Sequence, residues 1–129
     1  MRGLLLSLLL LTISGCAGKD RLELLTDRAD AYNRSIRWSS LTAASNLIIP
    51  ESRRTLMNIL ADDMAKRRIV DFSIVDLSVD DKKMKGSVVV EVSFYNLSDQ
   101  NLQYRQEVQT WEYLPKEKNW FLTQARSLN

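Results

Sequence analysis

The stretch SVVVEVSFYNL at residues 87–97 alternates apolar and mixed side chains, and this alternation decides the fold class. One face of the pattern is apolar and consists of Val88, Val90, Val92 and Phe94. A period of two residues is that of a β-strand with one buried face. Turn-forming residues follow at 98–101, so we predict a strand that ends in a tight connection.

Residues on both sides extend this strand into a sheet. Upstream, Val70, Phe72 and Ile74 share one face, and the apolar positions then shift to the opposite parity, beginning at Val75. Such a shift predicts a β-bulge near Ile74 and Val75. Turn residues at 80–83 separate this upstream strand from the 87–97 strand. Turn residues at 98–101 and 115–119 then bound a third strand at 102–114 and a fourth at 120–125. The pattern predicts a four-stranded antiparallel meander.

The chain before Arg68 has helical instead of alternating periodicity. The apolar residues of the first helix recur every three or four positions, at Leu22, Leu25, Ala29, Tyr32 and Ile36. A short helix follows from a serine N-cap at Ser39 or Ser40 to Leu47, and a third runs from Pro50 to about Lys66. Helices followed by strands indicate an α+β fold, with N-terminal helices packed on a curved four-stranded antiparallel sheet.

Composition excludes several classes of function. The 129 residues allow one domain, and a net charge of +2 is too small to indicate a nucleic-acid partner. The chain has no histidine, which is the commonest metal ligand and general base. Its single cysteine cannot form an internal disulfide or a multi-cysteine metal site. We therefore predict no metal site and no cofactor.

The N-terminus has the order of an export signal. Arg2 is followed by an apolar run at residues 4–13 and then by small residues around Cys16. The run is shorter than the roughly 20 apolar residues of a membrane-spanning helix. A plain export signal with an incidental cysteine remains the alternative to a lipidation site.

The segment Ile13-Ser14-Gly15-Cys16 resembles the lipobox of bacterial lipoproteins. The resemblance implies that the Cys16 thiol takes a diacylglycerol, that the chain is cut before it, and that the new amine is acylated. It divides the chain into a signal peptide (1–15), a lipidated cysteine with a short tether (16–19) and a single domain (20–129). Ala17 resembles the signal for the outer membrane, so a lipid anchor on the periplasmic side is expected.

Residues 31–38, 105–113 and 120–123 resemble small bacterial lipoproteins with an NTF2-like, cystatin-like cone, although such sequences often carry glycine and an acidic residue where Ser39 and Ser40 stand. The cone of this family often encloses a pocket, and its members include isomerases, dehydratases, ligand binders and proteins without known activity. The side chains that could line such a pocket are Tyr32, Trp38, Phe72, Glu91, Tyr104, Gln106, Gln109 and Trp111.

Two functional hypotheses follow. The first is a noncatalytic binding or assembly module of the envelope with a protein partner, and it rests on the lack of a recognisable catalytic motif. The second is a small-ligand-binding protein, or an isomerase or hydratase that uses a carboxylate and a tyrosine. The available groups are Glu91, Asp71 or Asp76 with Tyr95 or Tyr104. Exposure of all three carboxylates would contradict an enzyme that uses them, and a filled cone would contradict ligand binding.

Overall fold

The computed structural model describes residues 20–128, so the predicted signal peptide and Cys16 lie outside the described residues. The helices are Arg21–Arg37 (α1), Leu41–Ser45 (α2) and Pro50–Lys66 (α3). The strands are Arg67–Val79 (β1), Lys85–Asn96 (β2), Leu102–Leu114 (β3) and Asn119–Ser127 (β4). The strands form an antiparallel sheet in the order β1-β2-β3-β4, which confirms the predicted α+β meander.

The helix boundaries follow local capping. Asp20 caps α1, because its Oδ1 accepts a hydrogen bond from the backbone N–H of Glu23 at 2.8 Å. Pro50 occupies the first turn of α3, where its missing N–H costs nothing. The second helix is shorter than predicted, and Ser40 precedes it without a side-chain capping bond. Ser39 turns the chain between α1 and α2 with a φ of 55°, a left-handed conformation that glycine adopts more easily.

Two bulges shape β1. The register shift between Ile74 and Asp76 confirms the predicted bulge at Val75, and a second shift between Ile69 and Asp71 was not predicted. The expectation that Val70 and Val75 would face the core is wrong, since both side chains are exposed. Each extra residue restores the phase of the strand, so the apolar residues of β1 that follow remain on the inner face.

The core fills the end of the cone that contains the β1–β2 and β3–β4 turns. Its fully buried members are Leu25, Ala29, Ala44, Ile48, Val88, Val90, Trp111, Trp120 and Leu122. Trp120 Nε1 donates to the carbonyl of Arg21 at 2.8 Å and thereby attaches the start of α1 to β4. Leu22, predicted on the buried face of α1, is exposed instead.

Candidate functional site: the cone cavity

A cavity of about 570 Å³ lies between α1, α3 and the inner face of the sheet, so the cone is not filled by its own side chains. This volume is in the range of small-molecule sites, which are mostly apolar with a few polar groups. The apolar lining consists of Ile36, Leu56, Ile59, Leu60, Ile69, Phe72, Val92, Phe94 and Ala125.

The cavity occupies the end of the cone opposite the core. It is lined by the first residues of β1 and β3 and by the last residues of β2 and β4. The start of α1 lies at the other end, because Arg21 Nη1 donates to the carbonyl of Lys83 in the β1–β2 turn at 3.1 Å. The exposed side chains Ile59 and Tyr104 mark the mouth of the cavity.

Four charged side chains on three elements form a cluster in the cavity wall. Asp63 of α3 accepts hydrogen bonds from Nη1 of Arg67 at 2.6 Å and from Nη2 of Arg105 at 3.4 Å. Arg105 Nη2 also lies 4.0 Å from a carboxylate oxygen of Glu107. Both guanidinium groups lie over the ring of Phe94, at 5.6 Å for Arg67 and 5.1 Å for Arg105. The cluster attaches the end of α3 to the sheet.

Burial shifts the titration of two groups in this wall. Desolvation raises the pKa of Glu107, and the charge of Asp63 adds to this rise. The charge of Arg105 and a hydrogen bond from Gln109 lower the same pKa. Desolvation, together with the charge of Glu107, also raises the pKa of Tyr32 far above its ordinary value. The Tyr32 hydroxyl therefore stays protonated at physiological pH, and it has no hydrogen-bond partner among residues 20–128.

A buried amide pair fixes α1 against β3 behind the cavity. Asn33 Nδ2 donates to Gln109 Oε1 at 3.2 Å, and Gln109 Nε2 donates to Asn33 Oδ1 at 2.9 Å. Asn33 Nδ2 also donates to the carbonyl of Ala29 at 2.8 Å. Paired amides satisfy each other in a site that water does not reach, so this contact sets the position of Tyr32 relative to the charged cluster.

The structure separates the residues that were predicted to line the pocket. Tyr32, Phe72 and Tyr104 line the cavity. Trp38, Gln106 and Trp111 do not: Trp38 is 71% exposed after α1, Gln106 is exposed, and Trp111 is buried in the core. Strand parity explains the last two, because odd-numbered residues of β3 face inward and Trp111 lies toward the filled end.

The carboxylates proposed for catalysis lie outside the cavity. Asp71, Asp76 and Glu91 are all exposed, so the predicted carboxylate and tyrosine pairs are wrong. The carboxylates that line the cavity are Asp63 and Glu107, which sequence reasoning missed together with Arg105. The signal that could have found Glu107 and Arg105 is register, because both pair with buried valines of β2 and therefore face inward.

Two other features bear on the kind of site. Within residues 20–128, no group of three or more acidic or cysteine side chains is arranged to hold a metal ion. None of the described helices combines the length and apolar character needed to cross a membrane.

Comparison with known proteins gives similarity in structure alone. No family model matches the sequence, and no curated protein matches it. A ketosteroid isomerase-like protein from Erwinia carotovora atroseptica SCRI1043 superposes with a TM-score of 0.68 at 11% identity, covering 86% of this chain and 98% of that one. A candidate dehydratase of the NTF2-like family from Streptomyces avermitilis gives 0.62 at 14%, covering 82% and 93%.

A protein of unknown function with a cystatin-like fold, from Nostoc punctiforme PCC 73102, gives a TM-score of 0.59 at 8% identity and covers 81% of this chain and 86% of that one. The chain has the NTF2-like cone fold. At these identities the similarity establishes architecture, and one fold of this kind carries unrelated functions. Function must therefore be argued from the cavity itself.

Proposed function

We propose that the cone binds one small, mostly apolar molecule. The observation that carries the proposal is the cavity of about 570 Å³, which apolar side chains line together with converging polar groups. The polar groups include Tyr32, Asp63, Arg67, Arg105 and Glu107. A chain that needed only its outer surface to bind a partner would gain stability by filling this space, since unfilled volume costs free energy.

We further propose that a lipid on Cys16 anchors the domain to the periplasmic side of the outer membrane, as the lipobox resemblance implies. Residues 16–19 span at most about 14 Å, so the start of α1 would stay close to the membrane surface. Because α1 begins at the end opposite the cavity, the mouth would face away from the membrane. A protein partner in the envelope would then have access to the mouth.

The experiment that tests binding uses Nile red, a neutral apolar dye, with the full chain. Ala125→Phe places a ring in the cavity and should weaken dye binding about tenfold or more, which corresponds to about 1.4 kcal/mol. Ala65→Phe adds the same ring to the exposed face of α3 and serves as the matched control. Equal affinities in both variants, with unchanged unfolding midpoints, would contradict binding in the cone.

A second candidate function is proton transfer, and the observation that favours it is the buried Glu107 beside a protonated Tyr32 hydroxyl. A carboxylate whose pKa is raised by burial is a stronger base than an exposed one, and it can accept and return a proton. A tyrosine hydroxyl can donate to an oxygen on which charge develops. The fold is shared with a ketosteroid isomerase-like protein, which makes the reaction a reasonable one to test.

The test for proton transfer is conversion of a β,γ-unsaturated cyclic ketone to its conjugated isomer, followed by ultraviolet absorbance. Glu107→Gln should abolish conversion while leaving Nile red binding intact, because the amide keeps the shape but cannot accept the proton. Glu91→Gln, on an exposed side chain, is the control. Equal rates for the parent and Glu107→Gln would exclude this role for Glu107.

A further inference from the structure

We infer that the ligand of the cavity is an amphipathic monoanion, an apolar body with one carboxylate that Arg105 and the Tyr32 hydroxyl hold. This inference rests on the proposed function, because it names the class of ligand that the same cavity would take. It concerns charge selection, which an apolar lining does not provide.

Arg105 is a cation whose charge is incompletely matched. Its side chain is only 18% exposed, and its contacts to carboxylates are long, at 3.4 Å to Asp63 and 4.0 Å to Glu107. Asp63 has a nearer partner in Arg67 at 2.6 Å. Nη1 of Arg105 forms no hydrogen bond within residues 20–128, and its Nε is buried without a partner there. A largely buried cation favours a close anionic partner, and the free Nη1 can provide one contact to it.

The charge of the whole cluster also favours an anionic ligand. Two guanidinium groups and two carboxylates line the cavity and would cancel if all were ionised. Burial, however, favours the neutral form of Glu107, as its raised pKa shows. A proton taken up by Glu107 would leave the wall with an excess of one positive charge, which a single incoming anion would neutralise.

Tyr32 adds a second donor for the same anion. Its side chain lines the same cavity as Asp63, Arg105 and Glu107. It is protonated and has no partner among the described residues. Hydrogen bonds between such donors and a carboxylate are charge-assisted and about twice as strong as neutral ones.

The remaining lining defines the body of the ligand. Apolar side chains surround the cluster on α1, α3, β1, β2 and β4, and Ile59 continues this surface to the mouth. At about 30 Å³ for a water-sized group, the cavity has room for on the order of twenty non-hydrogen atoms. A second negative charge would face Asp63 and the apolar wall, so a monoanion with a hydrocarbon body fits and a dianion does not.

The experiment compares three probes with the same ten-carbon chain, decanoate, decanol and decylamine, by titration calorimetry on the full chain. We expect decanoate to bind about tenfold or more tightly than either of the others at neutral pH. Arg105→Gln should remove this preference, because it should weaken decanoate binding more than decanol binding. Arg54→Gln, on the exposed face of α3 outside the cavity, is the matched control.

Each outcome has a distinct meaning. Equal binding of decanoate and decanol would overturn the inference and leave the proposed function standing, whereas failure of all three probes would overturn both. A carboxylate preference that survives Arg105→Gln would overturn the role of Arg105. If that variant does not fold, Arg105→Lys keeps the charge without the planar fork and should retain only part of the preference; full retention or a complete loss would contradict the geometry.

Discussion

Gly86 lies where Leu25 of α1 packs against the sheet, and adding one methyl group there should reveal how tightly the filled end of the cone is packed. A Cβ at this position would lie 2.5 Å from Cδ2 of Leu25 and 3.4 Å from both the Ser78 carbonyl oxygen and a ring carbon of Trp120. Leu25 is fully buried, so its side chain cannot move into solvent. Gly86→Ala therefore forces overpacking instead of filling a void.

The expected magnitude combines two opposing effects. Replacing glycine by alanine in an unobstructed strand stabilises by about 0.5–1 kcal/mol, because the unfolded chain loses freedom. Overpacking a filled core costs about 1–3 kcal/mol. Gly86→Ala should therefore lower the free energy of unfolding by about 1 kcal/mol, and by no more than about 2.5 kcal/mol. The assay is urea unfolding followed by tryptophan fluorescence, with an unchanged dependence on denaturant.

Leu25→Ala provides the decisive background. That change alone should cost about 2–5 kcal/mol, and it removes the atom that the new Cβ would strike. In this background Gly86→Ala should stabilise by about 0.5–1 kcal/mol, so its effect reverses sign. Ser87→Ala, on the other face of β2, should change stability by no more than about 0.5 kcal/mol in either background. If Gly86→Ala had the same sign in both backgrounds, the close contact with Leu25 would not govern this site.

Three further predictions concern the cavity and the anchor. Gln109→Leu leaves Asn33 Oδ1 without its donor in a buried site and should lower the free energy of unfolding by about 2–3 kcal/mol; urea unfolding measures this, and an unchanged value would contradict the role of the amide pair. Burial raises the pKa of Glu107 in the folded state, so its contribution to stability falls as pH rises from below the ordinary glutamate value through the folded pKa. The advantage of Glu107→Gln over the parent should therefore grow across that window in unfolding experiments at several pH values, and a constant difference would refute it. Cys16→Ser should block processing and release the protein from the membrane fraction on cell fractionation, whereas full retention would exclude the lipid anchor.

Local periodicity carried enough information for most of the fold. β3 has the predicted bounds 102–114, and α3 starts at Pro50 and ends at Lys66 as expected. Both depend on alternation, turn residues and caps within a few positions of one another. The bulge at Val75 was visible because the apolar parity changes there. The bulge at Val70 was not predicted, because Ile69 beside it is also apolar and the apolar parity therefore shows no clear change there.

The candidate site was much less predictable, because its polar residues are defined by partners far away in the chain. Arg105 and Asp63 are 42 positions apart and meet only when α3 packs over the sheet. A charged residue on a strand is normally expected to face solvent, so Glu107 gave no local signal of its burial. The prediction that Trp38 lines the pocket was wrong in the opposite sense. An aromatic side chain in an α+β domain usually packs inward, whereas Trp38 is exposed.

The sequence by itself determined the order of helices and strands, and with it the α+β meander, because the periods of 3.6 and 2 residues are properties of neighbouring positions. Only the tertiary structure decided which end of the cone is filled and which is hollow. Trp111, Trp120 and Leu25 belong to the core at the end that contains the β1–β2 and β3–β4 turns. The opposite end contains the charged cluster that connects α3 to β3. Strand register and helix packing set those contacts, and they bring together residues whose separation in the chain conceals them.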